Sequence, residues 1–185
     1  MNHTKWTKAF TSNEFVLELL GNDTTVIGFD CGDNDLNEYF HSDSIAHRQE
    51  LFTKSYCFHL SEDDIQHSLA LVDFCNAEIR KESLKENEMA DIPDEKRGYS
   101  FFPAVKITRL GVALQFQKMH VGSALLDIIK EFFLKESRTG CRFLLVDAYK
   151  EALDFYKKND FRPLYVKKPE LRRTLPLFFD LKSLA

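Results

Sequence analysis

The sequence predicts a mixed α/β fold, a sheet with helices packed on it, in one domain spanning residues 1–185. Three observations predict it. Short apolar runs bounded by turn residues recur along the chain. Val121 to Leu134 carries a helical stripe, and after it strands and helices alternate. A chain of 185 residues, 44% hydrophobic with 17 Phe, is long enough to fill one core.

In chain order, Phe15 to Leu20 and Thr24 to Phe29 read as two strands joined by a Gly-Asn-Asp turn at 21–23. Asp33 can cap a helix that carries Leu36, Tyr39 and Phe40 on one face and fades near Arg48. Phe52 to Leu60 and Ser68 to Cys75 read as a hairpin across a polar connection. The charged stretch 79–98 reads as an exposed helix or a mobile insertion, with a substrate lid as the sharper alternative. Phe101 to Val112 is a long strand. In the helix that follows, Leu125, Ile128, Ile129, Phe132 and Phe133 face inward, opposite Lys130, Glu131 and Lys135. Arg142 to Val146 is a strand, Lys150 to Lys158 a short helix, Phe161 to Val166 a strand, and Thr174 to Leu181 the last strand.

The bulk properties exclude several classes. A net charge of -4 argues against a strongly basic nucleic-acid binder and leaves room for a local basic patch. The four cysteines form no C-x-x-C pair, so free thiols in a reducing compartment are expected, and no metal site. The polar start of the chain lacks a signal core and no apolar run approaches ~20 residues. No membrane association and a cytoplasmic location are therefore expected.

The chemistry concentrates between Arg109 and Leu126, where a strand ends, a short loop follows and a helix begins. A helix N-terminus offers unpaired N–H groups and the positive end of its dipole to phosphate. Gly122 and Ser123 allow close approach, and Lys118 adds charge. By itself this segment reads equally well as a strand-to-helix turn without a ligand.

Two blocks of residues resemble the GNAT family of acetyltransferases. Gln117-Lys-Met-His120-Val-Gly122, followed by Ser123, is similar to its cofactor loop, and Arg109-Leu-Gly-Val112 to the strand before it. Ala152-Leu-Asp-Phe155-Tyr156-Lys-Lys-Asn-Asp-Phe161 resembles its second signature. The resemblance implies a mixed, mostly antiparallel, twisted sheet of six to seven strands with helices on both faces. It also implies acetyl-CoA as cosubstrate, held by Leu110, Gly111, Val112, Gln117, Lys118, Met119, His120, Val121, Gly122 and Ser123. The acetyl group would pass to a primary amine by direct attack. Tyr156 would be the general acid on the departing thiolate, and a backbone N–H at or beside Leu110 would stabilise the oxyanion. Two positions depart from the pattern. His120 stands for the first loop glycine, which costs little if that position is already helical. Asp160 stands for the glycine before Phe161, and Asp tolerates a left-handed turn.

The residues do not single out a base for the acceptor amine. Asp73, Glu78, His67 and Asp147 are candidates, as are water and a backbone carbonyl. The block from Gly28 to Phe40 resembles a GNAT branch that includes toxins acetylating aminoacyl-tRNA. That resemblance implies charged tRNA as an acceptor, with Lys167, Lys168, Arg172 and Arg173 as the basic cluster to meet it. Equally, the block could serve to fix the first helix on the sheet. A CoA-binding module without turnover is a further alternative. The Phe-rich last strand is a candidate edge for a homodimer.

Overall fold

The computed structural model describes residues 9–12, 14–136 and 139–185. They form eight strands and five α-helices, divided into two compact units. One unit holds residues up to 74 and 109–132, the other 75–108 and 133–185. The strands are β1 (Ala9–Ser12), β2 (Phe15–Leu19), β3 (Lys54–Leu60), β4 (Ala70–Arg80), β5 (Phe101–Val112), β6 (Phe143–Tyr149), β7 (Arg162–Pro163) and β8 (Thr174–Asp180). The helices are α1 (Asn34–Glu38), α2 (Ser44–Gln49), α3 (Glu86–Ala90), α4 (Val121–Lys135) and α5 (Leu153–Lys158). β4 and β5 each contribute one end to each unit.

In the first unit β1, β2, β3 and β4 pair antiparallel in that order. The end of β5 follows β4, where Ala113 N–H donates to Leu69 O at 2.9 Å. As the sequence predicts, Asp33 caps α1 by accepting from Leu36 N–H at 3.1 Å. A π-helical turn over Tyr39–Asp43 joins α1 to α2 and buries Tyr39 and Phe40. These pack with Phe29, Cys31, Cys57 and Leu71 on one face of the sheet. α4 covers the other face, with the Phe132 ring 5.5 Å from Tyr56.

The expected strand from Thr24 to Phe29 does not form, although the Gly21 turn does (Thr24 N–H to Gly21 O, 3.1 Å). Val26 and Phe29 are buried while Ile27 is exposed, and Gly28 takes φ 77, which breaks the two-residue alternation of a strand. Side chains serve this backbone instead of a ladder. Arg48, only 2% exposed, donates to Thr24 O at 2.6 Å and Gly21 O at 3.1 Å, and Gln66 accepts from Ile27 N–H at 3.3 Å. Lys130, expected on the solvent face of α4, is buried, with its Nζ 3.1 Å from Asp127.

In the second unit β5 pairs parallel with β6, and β8 lies between β6 and β7, antiparallel to both. The 79–98 segment completes β4, then makes α3 flanked by two 3-10 turns. Ile79, Leu84 and Ile92 from it pack on Phe102, Phe143 and Phe178, so its apolar residues are anchored rather than displayed. The strand expected over Phe161–Val166 shrinks to Arg162–Pro163: Leu164 N–H still reaches Pro176 O at 3.0 Å, but Tyr165 N–H turns away to Ser83 O at 2.9 Å. β7 occupies the side of β8 at Leu177 and Phe178, so there the last strand offers no edge to a second subunit.

Candidate functional site

The site is built on the turn between β5 and α4. After Val112 the chain makes one 3-10 turn over Leu114–Phe116, then runs exposed from Gln117 to His120 into α4. The N–H groups of Val121, Gly122 and Ser123, in the first turn of this 15-residue helix, have no intrahelical acceptor. The first helical bond is Ala124 N–H to His120 O at 3.0 Å. The N-terminus of α4 therefore presents a row of donors and the positive end of the helix dipole, a cradle for a phosphate group.

Two residues of the turn are left-handed, Lys118 at φ 64 and His120 at φ 61. The condition under which a side chain at 120 would cost little, a position already helical, is therefore not met. The position demands the conformation that glycine adopts freely, and a side chain there costs about 1–2 kcal/mol. Histidine enters this region more readily than most residues, which makes the replacement tolerable. Asp160 behaves as expected, taking φ 66.

Gln117 braces the turn from within. Its Nε2 donates to Cys31 O at 2.8 Å and to Val112 O at 3.0 Å, tying the loop to the end of β5 and to the residues before α1. Those residues are the block from Phe29 onward. Asp30 accepts from Gly32 N–H at 2.8 Å and Asn37 Nδ2 at 2.7 Å, which holds its carboxyl below the usual range. Asn37 Oδ1 accepts from Cys31 N–H at 2.9 Å, and Asp30 O accepts from Leu114 N–H at 2.9 Å. A Cβ on Gly111 would meet Cys31 Sγ at 3.2 Å and Phe29 Cζ at 3.3 Å. The Phe-Asp-Cys-Gly block thus fixes the start of α1 and supports the loop, the structural role left open by the sequence. Gln117's bracing was invisible in the sequence because its partners are carbonyls, one of them 86 residues away.

Tyr156 belongs to the other unit. It lies on α5, 6% exposed, with its ring 5.0 Å from Phe155 and 5.5 Å from Phe161. Burial alone raises its pKa well above that of an ordinary phenol. The hydroxyl is therefore protonated throughout the neutral range, the form that a proton donor requires.

The candidate bases separate by environment. Asp73 is fully buried and accepts from Tyr39 Oη at 2.6 Å and Thr53 Oγ1 at 3.0 Å, so it acts as a lock between β4, the π-turn and the residue before β3. Tyr39 Oη also lies 3.1 Å from His47 Nδ1, and the Arg109 guanidinium sits 4.8 Å over the Tyr39 ring. His67 is exposed and pairs with Asp64 at 3.1 Å; Glu78 is exposed on β4. Asp147 pairs with Lys106 across β5 and β6 at 2.5 Å. Among the described residues no group of His, Cys, Asp and Glu could hold a metal ion, and no helix is long and apolar enough to cross a membrane.

Lys167, Lys168, Arg172 and Arg173 are all exposed on a compact loop that carries a 3-10 turn, Pro169–Leu171. Arg172 Nε donates to Lys167 O at 3.5 Å and Arg173 lies 5.0 Å over the Tyr149 ring, so the loop presents its cations as a group.

The chain has the fold of GNAT-type toxin acetyltransferases, the class that its motif blocks resemble. It is similar to AtaT complexed with acetyl-methionyl-tRNAfMet, at 22% identity and TM-score 0.71, over 92% of this chain and 97% of that one. A KacT mutant matches at 19% identity and TM-score 0.74, over 93% and 98%. AtaTR bound with AcCoA matches at 22% identity and TM-score 0.67, over 92% and 96%. No family model matches the sequence, and no curated protein matches it.

Proposed function

We propose that the protein is an acetyl-CoA-dependent N-acetyltransferase and that its acceptor is the α-amine of aminoacyl-tRNA. The observation that carries the enzymatic reading is the α4 turn, where two left-handed side-chain-bearing residues lead into a helix whose first three N–H groups have no intrahelical acceptor. Strain of this kind persists where a site needs it. In this reading the N–H groups of Val121, Gly122 and Ser123 bind the pyrophosphate of acetyl-CoA, with Lys118 and His120 beside them. Gln117 acts as the brace, and Leu110, Gly111 and Val112 offer backbone groups to the pantetheine arm. Met119, 63% exposed, adds apolar contact. The cosubstrate supplies an acetyl thioester. Tyr156 protonates the leaving sulfur, a step for which a phenol held neutral is suited.

The choice of acceptor is supported by the likeness to AtaT, whose complex contains an acetylated aminoacyl-tRNA, and by the basic loop at 167–173. A net negative chain needs such a local patch to meet phosphates. The test is transfer of labelled acetyl from acetyl-CoA to total charged tRNA, compared with free polyamines and uncharged tRNA. The reading predicts label on charged tRNA only, salt-sensitive and lost in Tyr156→Phe. Label on polyamines alone would move the acceptor to small amines. Binding of acetyl-CoA without any transfer would favour a CoA-binding module.

A further inference from the structure

Of the candidate bases, Asp147 is paired with Lys106, and the place of that pair in the sheet is informative. The β5–β6 ladder runs from Ala104↔Phe143 to Ile107↔Val146 and stops there, although β6 continues to Tyr149. Asp147 is the first β6 residue beyond the ladder, and Lys106 reaches it from β5. Along β6, Phe143, Leu145, Asp147 and Tyr149 share one face. Phe143 and Leu145 are covered by the cluster that includes Ile79, Leu84 and Phe178. That cover ends at Leu145: the Asp147 side chain is 46% exposed and Tyr149 43%.

Tyr156 serves the opposite face. Its ring packs on Phe161, which lies 5.8 Å from Phe179, and Phe179 pairs with Leu144, out of phase with Asp147. The face of β6 opposite Asp147 is thus closed at Leu144 and Phe179, on which Phe161 and, through it, the Tyr156 ring are layered. The other face opens at a carboxylate. Lys106 Nζ holds Asp147 Oδ2, while Oδ1 makes no hydrogen bond among the described residues. Arg173, over Tyr149, adds a further charge beside this face, and Cys75 on β4 lies close to Lys106.

Building on the acetyltransferase reading, we infer that Asp147 receives the acceptor amine, binding it and taking its proton, with Lys106 as the positioning residue. An α-amine has a pKa of roughly 7.7–8.0 and is mostly protonated at neutral pH. Its proton passes to Asp147 Oδ1. The freed lone pair forms the C–N bond to the thioester carbon, the C–S bond breaks, and the sulfur takes the proton of Tyr156. The second nitrogen proton leaves as the amide forms and restores the phenol through solvent. Base and acid thus act from opposite faces of the sheet, and one proton is released for each acetyl transferred.

The experiment measures kcat/KM for total charged tRNA from pH 6 to 9 in the wild type, Asp147→Asn and Asp147→Glu, with acetyl-CoA binding measured alongside. Asp147→Asn should lose about 10²-fold at pH 7, the low end for general base catalysis. The deficit should narrow as pH rises past the amine's own pKa, acetyl-CoA affinity should be unchanged, and Asp147→Glu should recover part of the rate. A loss equal at every pH would mark a structural ion pair and overturn the inference, as would a loss under about threefold. If the wild type itself labels no charged tRNA while Tyr156→Phe behaves identically, the acetyltransferase reading fails first and takes this role with it.

Discussion

The α4 turn and the buried Tyr156 pose opposite problems. The turn is exposed, and its proposed work is done by main-chain N–H groups, so what counts there is a conformation held by other residues: Gln117, and Phe29 to Cys31 packed against Gly111. Tyr156 is buried, its ring is packed by Phe155 and Phe161, and its proposed work is done by one oxygen atom. A site built on backbone tolerates His120 where glycine would be easier; a site built on one side-chain atom tolerates no loss of it. The comparison predicts that substitutions in the two regions fail in different currencies, stability and affinity in one, turnover in the other.

The largest effect is expected at Tyr156. Removing its hydroxyl in Tyr156→Phe should lower kcat by about 10²–10⁴ with little change in unfolding midpoint, because the ring contacts remain. Steady-state rates beside a thermal melt check both halves. Next comes Gly111→Val, which pushes into Cys31 and Phe29 and should cost about 1–3 kcal/mol in urea denaturation. An unchanged midpoint would show that the Phe29 block is not seated there. The third effect is alkaline. Burial pushes the Cys57 thiol up from 9.0 to about 12 and raises the phenols of Tyr39 and Tyr156. Above pH 9 the unfolded chain loses protons that the folded chain keeps, so stability falls as pH rises. For a fully buried group the slope approaches ~1.4 kcal/mol per pH unit. Urea midpoints at pH 8 and pH 10 should separate, and Cys57→Ala should reduce the gap. The smallest is His120→Gly, which relieves left-handed strain and should stabilise the chain by about 1 kcal/mol.

Much of the fold was legible in the sequence. The strand Phe101–Val112, the helix from Val121 and the Asp33 cap depend on local periodicity and local hydrogen bonds, and all three stand where the residues place them. The misses came from distant partners. The Thr24–Phe29 segment is apolar enough for a strand, yet Arg48 and Gln66 claim its backbone. Lys130 looks solvent-facing on a helical wheel and is buried. For the candidate site, the strand-to-helix transition pointed to the α4 turn, and the family resemblance to Tyr156. It could not show that Gln117 is a brace or that Asp147 meets Lys106, 41 residues earlier in the chain. The conformation of His120 stayed open in the sequence, because the sequence does not say where the first helical residue falls.

The most direct test of the central claim is calorimetry of acetyl-CoA binding to the wild type and Tyr156→Phe. The α4 turn as cosubstrate site and Tyr156 as proton donor predict clear binding of equal affinity in both proteins, with transfer only in the wild type. No binding in either would mean that the turn, for all its open N–H groups, does not hold acetyl-CoA.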